Sequence, residues 1–191
     1  IMGIALIADS ILVERARAHD ELAFAGLVER YKARLLGYLT RLTGCPSRAE
    51  DLTQEAFLRF YERLDRYEEQ GKLGAYLLRL ATRIFLSEER RRKRRALLSL
   101  LIQVETDTSE SSIIEHAYQR QVREALARVP AHYRAPLVLF VVEGLTYQEI
   151  AEVLGVRPGT VKSRIARARA ALRLYLASPE EEQLHERLVA R

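Results

Sequence analysis

Between Arg157 and Arg173 the chain carries six basic residues (Arg157, Lys162, Arg164, Arg167, Arg169 and Arg173) and no acidic one. A second run, Arg90 to Arg95, consists of six consecutive arginines and lysines. A solvated helix face usually mixes signs, and a run this dense repels itself without a polyanion, so phosphate is the partner that both stretches suggest. A third set is acidic and amide. In "DLTQEAFL", Asp51, Gln54, Glu55 and Leu58 step by three, one and three, which puts them on one outer face of a helix. Such a patch suits a basic helical partner. No catalytic constellation accompanies these sets. No nucleophile–base pair, Gly-rich phosphate loop or acidic receiver pocket is visible. The four histidines (His19, His116, His132 and His185) lack metal-ligand spacing, and the single cysteine, Cys45, excludes an internal disulfide framework and a Cys-rich zinc site. No metal or cofactor is expected, and Cys45 reads as a structural thiol.

These groups need helices to hold them. The 191 residues are 48% hydrophobic and 30% charged, with only five prolines and nine glycines, which predicts an all-α protein with a buried core. The net charge of +5 agrees with a polyanionic partner. The N-terminal "IMGIALIADSILV" is too short to span a membrane and is interrupted by Asp9, so no membrane insertion is expected. Cysteine usage fits a reducing, cytoplasmic compartment.

Charge and periodicity divide the chain into four parts: a helical domain over 9–95, a linker over 96–114, a second helical domain over 115–177 and a tail over 178–191. In the first domain, "ELAFAGLVERYKARLLGYLTRL" spaces Leu22, Phe24, Leu27, Val28, Tyr31, Leu35, Tyr38, Leu39 and Leu42 as an amphipathic helix. Ser47 and Glu50 offer a capping box for the next helix, which buries Leu52, Ala56, Phe60 and Leu64. "YEEQGKLG" is a loop, followed by a helix with an apolar start and a basic end. "VETDTSESS" has the composition of a flexible linker, while "ALLSLLI" before it can continue a helix. In the second domain Pro130 and Pro136 mark a turn region, and "LVLFVVEGL" is an apolar helix closed by Gly144.

The strongest local signal is a helix-turn-helix. Thr146 and Glu149 form a capping box, Gly155 supplies a left-handed exit, and Pro158 opens the next helix. Val161, Ile165, Ala168 and Leu172 then make one inward stripe. Ser163, Ala166, Arg167 and Ala170 face outward. Lys162, Arg169 and Arg173 lie on one flank, and Thr160 and Arg164 on the other. A narrow strip with basic flanks fits a major groove, with phosphates at the sides and base edges at the centre.

At this point the sequence resembles a known family. "GLTYQEIAEVLGVRPGTVKSRIARARAAL" is similar to region 4 of bacterial sigma factors of the extracytoplasmic-function (ECF) type. "RARAHDELAFAGLVERY", "AEDLTQEAFLRFYERL" and "AYLLRLATRIFLSEERRRKRR" resemble, in order, the start of region 2, its core-polymerase-binding helix, and its promoter-melting and −10-reading helix. The resemblance covers residues 9–177. It implies a non-catalytic promoter-specificity subunit of RNA polymerase, with two small helical domains joined by a flexible linker. It implies core RNA polymerase (clamp and flap) and duplex and single-stranded promoter DNA as partners, and an anti-sigma factor as regulator.

Carried over residue by residue, the resemblance puts −35 base contacts at Lys162, Ser163 and Arg167. Phosphate contacts fall at Tyr147, Arg157, Thr160, Arg164 and Arg169. Asp51, Gln54, Glu55 and Leu58 would meet the polymerase clamp. The −10 strand would meet Tyr67, Gln70 and Lys72 in the loop, with Arg83, Arg90 and Arg91 on the following helix; Tyr76 and Phe85 are candidate stacking platforms. Two departures stand out. Arg83 and Ser87 replace the Asn and Asp common in the family, so the −10 preference differs or Arg83 contacts phosphate. No tryptophan is present, and Phe60, Tyr61 and Tyr76 are expected to fill its space. The alternative reading is a stand-alone helix-turn-helix regulator, which would bind duplex DNA without polymerase.

Overall fold

The computed structural model describes residues 7–102 and 117–176, in which every regular element is helical. Its helices fall into two compact units, one in each half of the chain.

The first unit contains α1 (Asp9–Arg17), α2 (Glu21–Thr43), α3 (Pro46–Tyr61), a single 3-10 turn (Leu64–Arg66) and α4 (Leu73–Ile102). Asp20 caps α2, its carboxylate accepting from the Leu22 and Ala23 amides at 3.0 and 3.1 Å. The Arg15 guanidinium bonded to Asp20 helps hold that carboxyl below the usual range. Gly44, at φ 68°, turns the chain out of α2 in the left-handed region. The next helix does not start at Ser47 as expected. Cys45 is the N-cap and Pro46 occupies the first turn, where a missing N–H costs nothing. Ser47 therefore lies inside the helix, and its Oγ is 3.2 Å from the Cys45 sulfur. That contact, with the amides of the helix start, lowers the thiol pKa.

The core of this unit brings together Leu27, Leu35 and Leu39 from α2, Leu52, Ala56 and Phe60 from α3, and Leu77, Ala81 and Phe85 from α4. Each large side chain buried here contributes about 1.5–3 kcal/mol. Tyr38 and Thr82 satisfy each other's hydroxyls at 2.7 Å within it. Leu22 falls outside the packed stripe and is exposed. Phe85 is fully buried, so it is a core residue and no stacking platform. α4 continues into the segment assigned to the linker, because "ALLSLLI" holds helix formers and no glycine or proline. The rest of that linker, and the tail over 178–191, lie outside the described residues.

The second unit contains α5 (Ala117–Arg128), α6 (Ala131–Val141), α7 (Tyr147–Leu154) and α8 (Pro158–Leu176). Pro130 caps α6, but Pro136 does not mark a turn; it sits inside this helix. A proline there removes one backbone bond and costs about 3 kcal/mol. Burial of Ala135, Leu137, Val138 and Leu139 around it offsets that cost. α8 packs against α5, α6 and α7.

Candidate nucleic-acid interface

The frame that presents α8 is local in origin. Both halves of the Thr146–Glu149 capping box are formed, with Thr146 N–H donating to Glu149 Oε2 at 2.8 Å and Glu149 N–H to Thr146 Oγ1 at 3.3 Å. Gly155 takes φ 65° and its amide closes on the Ala151 carbonyl. No heavy atom comes within 4 Å of a Cβ built at Gly155, so its left-handed backbone, and not space, calls for glycine. Val161, Ile165 and Ala168 are buried and anchor α8 to the unit.

With that stripe inward, Lys162, Ser163, Ala166, Arg167, Arg169 and Ala170 are exposed, as is Arg157 ahead of the helix; Thr160 and Arg164 are half-buried. Ser163 Oγ donates to the Thr160 carbonyl at 2.9 Å, which leaves its lone pairs outward as acceptors. Two arginines are held by aromatic residues of α6. Arg167 donates through Nη1 to the Tyr133 hydroxyl at 3.1 Å, with its guanidinium 5.8 Å from that ring's centroid. Arg169 lies 5.4 Å over the Phe140 ring, which packs 5.2 Å from the half-buried Tyr147. Tyr147, Phe140 and Arg169 thus form one continuous ridge from three helices. Tyr133 and Phe140 are invisible to sequence periodicity, since each lies about 30 residues from its arginine.

In the first unit, Gln70, Lys72, Arg83, Arg90 and Arg91 are exposed. Tyr67 is not: it is 8% exposed and packs against Phe60 and Tyr76 at centroid distances of 5.5 and 4.6 Å. Burial and then its hydrogen bond to Glu69 push the Tyr67 pKa up, so it stays a neutral donor. Phe24 joins these rings, 6.1 Å from Phe60, and lies 4.9 Å from the ring of the exposed Tyr61. The loop is built from this cluster outward. Arg17 of α1 donates to the Leu64 and Tyr67 carbonyls at 3.4 and 2.5 Å. Tyr67 donates to Glu69 at 2.7 Å, and Glu69 accepts the Lys72 amide at 3.1 Å.

The basic run on α4 is exposed on all sides from Arg90 to Leu97. The acids just before it are neutralised, with Arg48 of α3 donating to both Glu88 and Glu89 at 2.9 Å and Arg92 to Glu89 at 3.2 Å. Burial lowers the Arg48 pKa, but the bonds to Glu88 and Glu89 outweigh it and raise the value. On α3, Asp51, Gln54 and Leu58 are exposed, while Glu55 is tied to Arg59 at 2.6 Å. This face continues into a groove of about 600 Å³ between α2 and α3, lined by Phe24, Ala25, Val28, Phe57, Leu58 and Tyr61.

Residues 27–95 match sigma-70 region 2, and residues 119–172 match sigma-70, region 4. The chain is 30% identical over 176 residues to the ECF RNA polymerase sigma factor SigW of Bacillus subtilis, covering 86% of this chain and 94% of that protein. The chain belongs to the ECF sigma factors. This ECF sigma factor is also 37% identical over 161 residues to SigE of Mycolicibacterium smegmatis, spanning 82% of itself but only 62% of that relative. Among solved structures it is similar to the sigma factor RpoE bound to the anti-sigma factor NepR from Bartonella quintana, with a TM-score of 0.66, 25% identity and coverage of 80% and 96% of the two chains. It is similar as well to CnrH in complex with the cytosolic domain of CnrY, at a TM-score of 0.64, 26% identity and coverage of 89% and 97%. Promoter-specific transcription initiation is the activity of the family. A region 2 beside the helix-turn-helix argues against a stand-alone regulator.

Proposed function

We propose that this ECF sigma factor binds core RNA polymerase through the α3 face and directs it to promoters by two DNA contacts. At −35, Lys162, Ser163 and Arg167 read base edges, and Tyr147, Arg157, Thr160, Arg164 and Arg169 grip phosphates on either side. At −10, Gln70, Lys72 and Arg83 meet the melted strand, and Arg90 and Arg91 neutralise its backbone. Tyr67 acts from beneath, as the ring that sets the loop. Asp51, Gln54 and Leu58 present charge and apolar surface to the polymerase clamp, with Glu55 released from Arg59 or shared with it. The chain itself supplies no catalytic chemistry and works in the cytoplasm, where polymerase is. Among the described residues no helix is long and apolar enough to cross a membrane.

The observation that carries this reading is the exposed strip on α8, flanked by arginines and resting on a buried stripe. An anti-sigma factor is the regulator we propose, since the similar RpoE structure is a complex with the anti-sigma factor NepR, and the similar CnrH structure is a complex with the cytosolic domain of CnrY. Run-off transcription with core polymerase, with and without the protein, tests the whole. Promoter-specific transcripts should appear only with the protein present. If core polymerase neither binds it nor gains specific initiation, the reading fails.

A further inference from the structure

The Arg167–Tyr133 contact assigns a role to a residue outside the DNA-facing helix. In a guanidinium, Nη1 lies on the side of Cδ, while Nε and Nη2 share the opposite edge. Arg167 spends Nη1 on the Tyr133 hydroxyl at 3.1 Å. The Nε–Nη2 edge is therefore left whole, and two parallel donors are what guanine N7 and O6 accept in the major groove. The anchor is stiff. Tyr133 sits on α6 beside buried Arg134, Ala135 and Pro136, and its own ring is half-buried. Arginine is rich in rotamers, so a side chain held before binding loses less freedom on reaching a base.

We propose that Tyr133 is a positioning residue for −35 recognition, holding Arg167 by Nη1 so that its Nε–Nη2 edge meets a guanine. This rests on the reading of Arg167 as a base-contacting residue. Tyr133 itself touches no base. Its loss should blur discrimination at one base pair and leave phosphate affinity alone.

The test uses reconstituted holoenzyme and promoters in which each −35 guanine is replaced singly by 7-deazaguanine, which lacks the N7 acceptor. Initiation by the wild type should fall about tenfold at one guanine. Arg167→Ala should be indifferent to that replacement. Tyr133→Phe, which keeps the ring, should shrink the penalty to about threefold, and Tyr133→Leu further, with salt dependence, thermal midpoint and core-polymerase affinity unchanged. Adding Tyr133→Phe to Arg167→Ala should change nothing more. If both Tyr133 variants keep the full penalty while Arg167→Ala abolishes it, Tyr133 only packs, and the proposal falls while the reading stands. If Arg167→Ala remains sensitive at every guanine, Arg167 is not the reader, and reading and proposal fall together.

Discussion

α4 and α8 are both basic helices, yet they hold their charge in different ways. The arginines of α8 stand over a buried stripe of Val161, Ile165 and Ala168, and two of them are steered by Tyr133 and Phe140. From Arg90 to Leu97, α4 is exposed on every side, and its charge is tied mainly near the start of that run, through the Arg48–Glu88–Glu89 network and the bond from Arg92 to Glu89. Unsteered charge attracts a polyanion without regard to sequence. Charge fixed in direction by a hydrogen bond that leaves two parallel donors outward, as at Arg167, can choose among base edges. On the proposed reading, α4 and the flanks of α8 would supply affinity, and the strip around Arg167 the discrimination.

That contrast can be broken or sharpened by substitution. The largest effect is expected from replacing Arg90, Arg91, Arg94 and Arg95 together with glutamine. The log–log salt dependence of promoter opening by holoenzyme should lose about three units of slope, at about 0.7 per phosphate on single strands, while −35 preference stays as it was. A salt titration showing an unchanged slope would remove α4 from the phosphate contacts. Next comes Arg167→Lys, which keeps the charge but not the planar fork. Discrimination at one −35 base pair should drop about tenfold with no change in salt slope; equal losses on every −35 sequence would mean that Arg167 meets only phosphate. Arg169→Ala should do the opposite, weakening all −35 sequences alike and lowering the slope by about one. Any sequence-dependent loss there would move base reading onto the Phe140 ridge. The smallest change is expected from Thr146→Ala, which removes the capping box and should cost about 1 kcal/mol in a denaturant titration without altering which bases are preferred. A shift in −35 preference would show that the box sets the angle of α8 as well as its stability.

The features that were legible in sequence are those made by neighbours along the chain. Thr146 with Glu149, Gly155, Pro158 and the start of the stripe, Val161, Ile165 and Ala168, are local, and the structure has each of them as the spacing requires; Leu172, expected to continue the stripe, is only half-buried. The misreadings arose where two local signals competed or tertiary packing decided. Ser47 is a good cap by type, but Pro46 already suited the first turn and moved the cap back to Cys45. Pro136 reads as a breaker, but the apolar surface around it kept the helix. Tyr67 lies in a loop by its neighbours Gly71 and Lys72, yet its ring closes on Phe60 and Tyr76 from other elements. Arg17, Arg48, Tyr133 and Phe140 carry no local signal for the same reason: what each does depends on a partner about 30 or more residues away.

One feature of α4 concerns length more than charge. It is a single helix from Leu73 to Ile102, about 45 Å at 1.5 Å per residue. Lys72, at its mouth, and Arg94, toward its far end, are therefore set about 33 Å apart along the axis. On the proposed reading, this rod sets the spacing between the loop and the basic run. One residue inserted in its middle would lengthen it by about 1.5 Å but swing the far arginines by about 100° around the axis. Rotation would thus misalign its two ends long before extension does, so the helix should be less forgiving of a change in residue count than of a change of side chain outside Arg83 and the Arg90–Arg95 run.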